Sequence, residues 1–489
     1  MTISELDQEE IFYYFHEISN VPRGSKYNRK ISDYLVNFAK EHHLEYLQDE
    51  ALNVVIRKPA TKGYEQVPGI ILQGHMDMVC VKTEDSLHDF EKDALALQTD
   101  GESIWAEGTS LGGDDGIAIA FGLAILASDS YEHPAMELLV TTDEEIGMDG
   151  AIAFDGSLLK GKWMINIDSE DENSILVGCA GGMSSVNTLP LVRKTAIDTG
   201  YAFYQLKISG LLGGHSGVEI TKNRRNACIL LGRLLFQIKE SFPECELHII
   251  KGGQKDNVIA QVADCVLSIP DSRKDAFQEK IQKISEQLIN EVRANEPEIR
   301  ILLDETSNCQ PAPLTEESVS HIITYLHLVI DGLQRMSASV DGMAESSLNL
   351  GIMKSDETAI HFTHCVRSSS PEYKAYMGEK LIMLAKLFQG TNHVHGDYPG
   401  WEYKPESAFR DLCIQEYPQI FNRQPIVETI HAGLECGILL SKKPELEIVS
   451  IGPDIKDIHS VHEKLSIESA RRSFQYVLDI LKHSVQLTK

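Results

Sequence analysis

The chain has 489 residues, 42% of them hydrophobic, with 73 Asp and Glu against 45 Lys and Arg for a formal charge of −28. That length implies two or more domains with full cores. The acidic balance argues against nucleic acid or an anionic membrane as a partner, while bound cations could neutralise some of the carboxylates.

In chain order, Ile11, Phe12, Phe15 and Ile18 predict one amphipathic helix, and Tyr27, Ile31, Tyr34, Leu35 and Phe38 a second. Asn53 to Arg57 and Gly69 to Gln73 read as strands, the latter too apolar for a sheet edge. Gly116–Ala127 reads as a helix, opened by Asp114 or Asp115 at its positive end. Glu137–Thr142 and Lys162–Ile167 are short apolar strands that end in acids. Strands alternating with helices imply an α/β sheet, with His75, Glu144 and Asp168 at the strand ends where such sheets place ligands.

From about Asn187 the texture changes. A strand (Tyr201–Ser209), a helix (Arg225–Lys239), two strands, a long helix (Ser272–Ala294) and a strand (Glu298–Asp304) form a βαββαβ-like unit. The pattern recurs in part with helix Glu316–Leu333, strands Ser346–Met353 and Ala359–Arg367, helix Pro371–Phe388 and strand Val394–Trp401. The expected architecture is a catalytic α/β domain (1–186 and 403–489) interrupted by an inserted α+β lid (187–402) with internal βαββαβ duplication. Nine scattered cysteines without a CxxC pair imply reduced thiols and a cytoplasmic address. The N-terminal ten residues have no basic and apolar leader pattern, and no apolar run reaches the roughly 18 residues of a membrane span.

The chemistry lies in short motifs. Gly74-His75-Met76-Asp77 closes the second strand with an imidazole and a carboxylate two residues on, and Asp77 is placed to accept the His75 ring N–H. Gly112-Gly113-Asp114-Asp115-Gly116, Thr142-Asp143-Glu144-Glu145-Ile146-Gly147, Asn166-Ile167-Asp168 and His459-Ser460 add further ligands. Hydrolysing an amide needs an activated water, a polarised carbonyl and a proton for the leaving amine, and two metal ions about 4 Å apart provide the first two. Five ligands suffice if one carboxylate bridges, and imidazole with carboxylate suits Zn²⁺, Mn²⁺ or Co²⁺. The side chains of Glu144 and Glu145 diverge, so one can bind metal while the other faces water as a base. Spacing does not choose between Asp114 and Asp115.

The ordered set resembles the aminoacylase/carboxypeptidase-like superfamily of co-catalytic zinc peptidases, and within it the aminoacyl-histidine dipeptidases, over nearly the whole chain. Further motifs carry the likeness: Val21-Pro22-Arg23-Gly24-Ser25-Lys26, Asp49 with Asn53-Val54, Gly213-Gly214-His215-Ser216-Gly217, Arg367-Ser368-Ser369, Tyr398-Pro399-Gly400-Trp401 and His431-Ala432-Gly433-Leu434-Glu435-Cys436. The resemblance implies two zinc ions, with Mn²⁺ or Co²⁺ as substitutes, and Asp114 as the bridging ligand. His75 and Asp168 would complete one ion, and Glu145 and His459 the other. It further implies that Asp77 orients His75, that Glu144 exchanges protons with the metal-bridging water, and that the Asp114–Asp115 peptide is cis. His215 would meet the substrate carbonyl, Arg367 the substrate carboxylate, and Gly433 and Glu435 would line the pocket. For Arg367 a salt bridge within the lid is the alternative. Two departures stand out: Val461 and His462 replace the usual residues after His-Ser, and Gly113 and Asp115 flank the bridging Asp.

The implied activity is hydrolysis of dipeptides, preferably Xaa-His, by a small-peptide enzyme with no nucleic-acid or membrane partner. The alternatives are an N-acyl amino acid deacylase, an aminotripeptidase, or a non-catalytic peptide-binding protein. Relatives include homodimers joined through the lid, although a doubled lid is also compatible with a monomer.

Overall fold

A computed structural model describes residues 2–196, 199–306 and 311–488. The chain forms two compact units, one comprising Met1–Cys179, Trp401–Thr429 and Leu434–Lys489, the other Ala180–Gly400 and Ile430–Gly433. The eight described cysteines are free, and Cys309 lies outside the described residues. Among the described residues no helix is long and apolar enough to cross a membrane.

The first unit is built on an eight-stranded mixed sheet. At its centre Ile70–His75 runs parallel to both Met136–Thr141 and Trp163–Asn166, and Glu447–Ser450 continues the parallel set beside Trp163–Asn166. Every residue of Ile70–His75 is buried, as its unbroken apolar run predicts for an interior strand. Antiparallel strands Val54–Lys58 and Glu45–Gln48 extend one side. Helix Gly113–Ala127 packs on the sheet and is buried on every side up to Leu126, so its Ala, Ile and Leu content reflects burial all round. Gly74 permits that packing: a Cβ there would lie 2.3 Å from Asp115 Oδ2 and 2.6 Å from Ala118 Cβ. A small sheet of Leu97–Thr99, Ser103–Ala106, Ile455–Lys456 and Lys464–Ser466 holds the late segment that carries His459.

The second unit has one nine-stranded antiparallel sheet. Its order is Arg300–Thr306, Tyr201–Ser209, Ala263–Pro270, Glu246–Gly252, Ala344–Ser355, Ala359–Ser368, Gly181–Pro190, Thr391–Tyr398, with Gly332–Met336 also paired to Ala344–Ser355. The two halves therefore mirror each other as last, first, third, second and then second, third, first, last strand of a βαββαβ unit. Gly181–Pro190 supplies the first strand of the second copy, although it precedes the first copy in the chain. Helices Ala227–Ser241, Lys274–Val292, Glu316–Leu328 and Pro371–Leu387 accompany the sheet. The helix predicted over Glu316–Leu333 stops at Leu328: Val329 is extended, and Gly332, at φ 83°, opens a strand. In this core Tyr325 Oη lies 2.7 Å from His364 Nε2 and accepts from Asn187 Nδ2 at 2.8 Å.

Candidate metal centre

Three parallel strands of the first unit deliver His75, the Glu144–Glu145 pair and Asp168 at or just beyond their C-terminal ends, while Asp114 comes from the start of helix Gly113–Ala127 and His459 from the segment between Ile455–Lys456 and Lys464–Ser466. His75 is the last residue of its strand and pairs in register with Thr141, from which the chain turns into the segment carrying Glu144 and Glu145. Asn53 braces that segment, accepting the Thr142 N–H at 3.1 Å and donating to the Gly150 carbonyl at 3.0 Å, while Asp49 holds the Asn53 amide at 2.7 Å. The Asp49/Asn53 motif therefore braces the Glu144–Glu145 turn at its two flanks, Thr142 and Gly150. From the other side, Asp143 accepts the Lys26 N–H at 2.6 Å and the Asn28 amide at 2.7 Å.

Two groups of ligand atoms result, His75–Asp114–Asp168 and Asp114–Glu145–His459, each with its atoms within 4.8 Å of one another. Asp114 gives one oxygen to each: Oδ1 lies 3.0 Å from His75 Nε2, and Oδ2 lies 3.2 Å from His459 Nε2. Asp168 Oδ1 is 3.3 Å from His75 Nε2, and Glu145 Oε2 is 3.0 Å from His459 Nε2. Asp115 points elsewhere, accepting the His75 backbone N–H at 3.3 Å. The Asp114–Asp115 peptide is cis. His75 Nδ1 is nearer the Asp77 main-chain oxygen (3.1 Å) than the Asp77 carboxylate (3.5 Å). That carboxylate accepts Ser25 Oγ at 2.8 Å and the Glu144 N–H at 3.0 Å, and so ties the proposed base to the His75 turn.

The electrostatics of this cluster call for cations. Burial pushes Asp168 up to about 6 and raises Glu144 and Asp115 well above the ordinary carboxylate range. Burial opposes ionisation of Asp114 too, but the His459 and His75 contacts pull it below that range. Burial would depress His75, yet contact with Asp114, Asp168 and Asp77 carries it well above the usual imidazole value, and contacts with Asp114 and Glu145 lift His459 to about 10. So many buried carboxylates around two imidazoles are costly unless neutralised. Glu145 Oε1 is also buried without a hydrogen-bond partner. One imidazole with two carboxylates in each group is the donor chemistry of zinc-type divalent ions, so these residues fit such ions.

Glu435 lies fully buried at the start of helix Glu435–Lys442. Its Oε2 accepts from Thr141 Oγ1 and Gln73 Nε2, both at 2.6 Å; Oε1 is unpartnered, and burial pushes the carboxyl up to about 8. Gln73 is held in turn by Asn166 Nδ2 at 2.6 Å. These partners sit inside apolar strands, where their polarity could have flagged them.

In the second unit, His215, Arg367, Tyr398 and Gly433 come together. Arg367 donates to Tyr398 Oη at 3.1 Å, and its Nη2 lies 3.5 Å from His215 Nε2. His215 Nδ1 accepts the N–H groups of Gly217 (3.3 Å) and Val218 (3.2 Å), which leaves the proton on Nε2. Burial and the Arg367 charge lower the His215 pKa and keep it neutral. A ring N–H and a guanidinium thus share one space, an arrangement suited to an oxygen with negative charge. Gly433 leaves room for the Tyr398 ring, since a Cβ there would come within 2.7 Å of it. Sequence reasoning named Tyr398 only as a motif member and gave Arg23 and Glu463 no role, although Glu463 accepts the backbone N–H of Gly113 at 2.8 Å beside Asp114.

Residues 71–483 match the model of Peptidase family M20/M25/M40. The chain is 36% identical over 482 residues to the cytosol non-specific dipeptidase of Escherichia coli (strain K12), covering 98% of each. Its structure superimposes on the crystal structure of aminoacylhistidine dipeptidase from Vibrio alginolyticus with a TM-score of 0.92 at 34% identity, over 98% of this chain and 97% of that one. The aminopeptidase PepT of Bacillus cereus ATCC 10987 shares the fold at a TM-score of 0.55 and 16% identity, over 98% and 99% of the two chains. Motifs, fold and relatives agree, and the chain is a member of peptidase family M20/M25/M40.

Proposed function

We propose that this chain is a dinuclear zinc dipeptidase that hydrolyses the peptide bond of small dipeptides, Xaa-His among them. The observation that carries the reading is Asp114, which offers one carboxylate oxygen to each of two imidazole-carboxylate groups. His75, Asp114 and Asp168 would hold one ion, and Asp114, Glu145 and His459 the other. Bound zinc supplies Lewis acidity toward a carbonyl oxygen and lowers the pKa of water.

The remaining work falls to side chains. Glu144 takes a proton from the attacking water and returns it to the leaving amine. Its burial, which raises its pKa, favours a carboxyl able to carry that proton. Asp77 positions Glu144 through the 3.0 Å bond from the Glu144 N–H. The second unit, Ala180–Gly400 with Ile430–Gly433 where the sequence suggested 187–402, acts as the lid: His215 donates its Nε2–H to the substrate oxygen as negative charge develops, and Arg367 pairs with the C-terminal carboxylate. Gly433 lines this recognition surface, and the buried Glu435 offers its unpartnered oxygen to a free amino terminus.

The test is a substrate panel on zinc-loaded protein, with Xaa-His and other dipeptides, β-alanyl-histidine, tripeptides and N-acetyl amino acids. Dipeptides with free amino termini should be cleaved fastest. Preferential cleavage of tripeptides or N-acetyl amino acids would point to an aminotripeptidase or a deacylase, and binding without hydrolysis would remove the enzyme reading.

A further inference from the structure

The Val21–Lys26 motif is distinctive in the sequence, yet the metal ligands leave its arginine without a role. Arg23 is almost fully buried. Its guanidinium donates to the main-chain oxygens of Met76 (3.3 Å) and Asp77 (3.5 Å), and also to that of Gly112. The Asp77 oxygen is the one that faces His75 Nδ1 at 3.1 Å. Arg23 therefore grips both the turn after His75 and the turn before Asp114.

Glu463 grips the second turn from the opposite side. It is buried four residues after His459, and its carboxylate accepts consecutive backbone N–H groups: Leu111 and Gly112 on Oε2 at 2.8 and 3.0 Å, Gly113 and Asp114 on Oε1 at 2.8 and 3.4 Å. Both main-chain groups of Gly112 are thus held, its N–H by Glu463 and its C=O by Arg23. The clamp depends on glycine: Gly112 sits at φ 64°, and a Cβ there would meet Arg23 Nη2 at 2.6 Å. A run of N–H groups at the start of a helix favours an anion, and here a side chain supplies it.

We propose that Arg23 and Glu463 form a buried clamp of opposite charges, each bonded to the backbone, that positions Asp114 between its two cation groups by locking the His75, Asp114 and His459 segments together. Neither residue touches a cation or substrate; both are positioning residues. Their charges cost solvation energy that hydrophobic packing would avoid. The return is a fixed direction for the one carboxylate that serves both groups. Because Asp114 belongs to both, loosening the clamp weakens two binding events together. A defect confined to the His75 or the His459 side would weaken one.

The inference rests on the dinuclear reading, so the experiment separates the two. Zinc is titrated into metal-free protein against a chromophoric chelator, for wild type, Glu463→Gln and Arg23→Lys, with the unfolding midpoint of each metal-free protein measured alongside. Wild type should bind two equivalents; failure to do so removes the dinuclear reading itself. Glu463→Gln turns an amide N–H₂ toward backbone donors, and should weaken both equivalents by about 10- to 100-fold. Arg23→Lys keeps the charge but loses the fork and should fall in between. A role in folding alone predicts lower midpoints with both zinc affinities within twofold of wild type, which would overturn the proposal. Where Glu463→Gln does not fold, Glu463→Asp, with its carboxylate withdrawn by one methylene, is titrated instead. Loss of fold in that variant as well would assign the pair to folding and also overturn it.

Discussion

Asp114 and Glu144 lie at the ends of different elements, and their surroundings give them different work. Asp114 is drawn down by two imidazoles and shared between two ligand groups. Glu144 is raised by burial, and its backbone is fixed by Asp77. Replacement should therefore separate binding from turnover. Glu144→Ala should retain both zinc ions by metal analysis and lose about 10²- to 10⁴-fold in kcat, the range of a general acid-base group. Asp114→Ala should lose zinc. A Glu144→Ala enzyme with near wild-type kcat, or an Asp114→Ala protein with two tight zinc ions, would contradict this division.

At this scale the candidate ligands stood out because each sits in a short motif of acids or imidazole: His75, Glu145 and Asp168 at or just past strand ends, Asp114 at a helix start and His459 in a late loop. What spacing left open was direction. Nothing in the order of Asp114 and Asp115 tells which side chain turns toward the imidazoles and which toward the His75 amide; the backbone path settles that. Glu463 was illegible because its partners are main-chain N–H groups, which leave no trace in side-chain identity.

Among the elements, the helix Gly113–Ala127 and the strand Ile70–His75 meet through Gly74. A side chain there collides with Asp115 and Ala118, so Gly74→Ala must push the start of the helix away from the strand. Overpacking of this kind costs about 1–3 kcal/mol, read as a lower denaturant midpoint. It should also weaken zinc binding, since Asp114 opens the displaced segment. An unchanged midpoint would show that the helix start yields freely.

The central strands were legible from unbroken apolar runs between turn residues, and the buried helix from its Ala, Ile and Leu content. Two features were not. The helix from Glu316 ends at Leu328, not Leu333, because Val329 is extended and Gly332 takes up a left-handed conformation to begin a strand. The apolar spacing carries on through both. The first strand of the second βαββαβ copy, Gly181–Pro190, stands ahead of the first copy in the chain, and only its pairing with Ala359–Ser368 and Thr391–Tyr398 shows where it belongs.

At the scale of the whole molecule, the two units should respond differently to acid and to chelation. In the second unit, burial holds His364 and His431 neutral, with pKa values lowered to about 3. The unfolded chain protonates these groups below about 6.5, whereas the folded one does so only near 3. Stability is therefore full above about pH 6.5 and falls as pH drops toward 3, by about 1.4 kcal/mol per pH unit for each histidine. Urea unfolding of chelated protein at pH 7 and pH 5 should show a smaller acid loss for His364→Gln than for wild type. Equal losses would mean that His364 is protonated in the folded state.

In the first unit the charge problem is one of carboxylates around two imidazoles, and bound cations would resolve it. The most direct measurement is anomalous scattering at the zinc edge from crystals soaked in zinc. Two peaks should appear, one touching His75 and Asp168, the other Glu145 and His459, with an Asp114 oxygen against each. A single peak, or peaks that leave Asp114 out, would contradict the dinuclear centre from which the catalytic account is built.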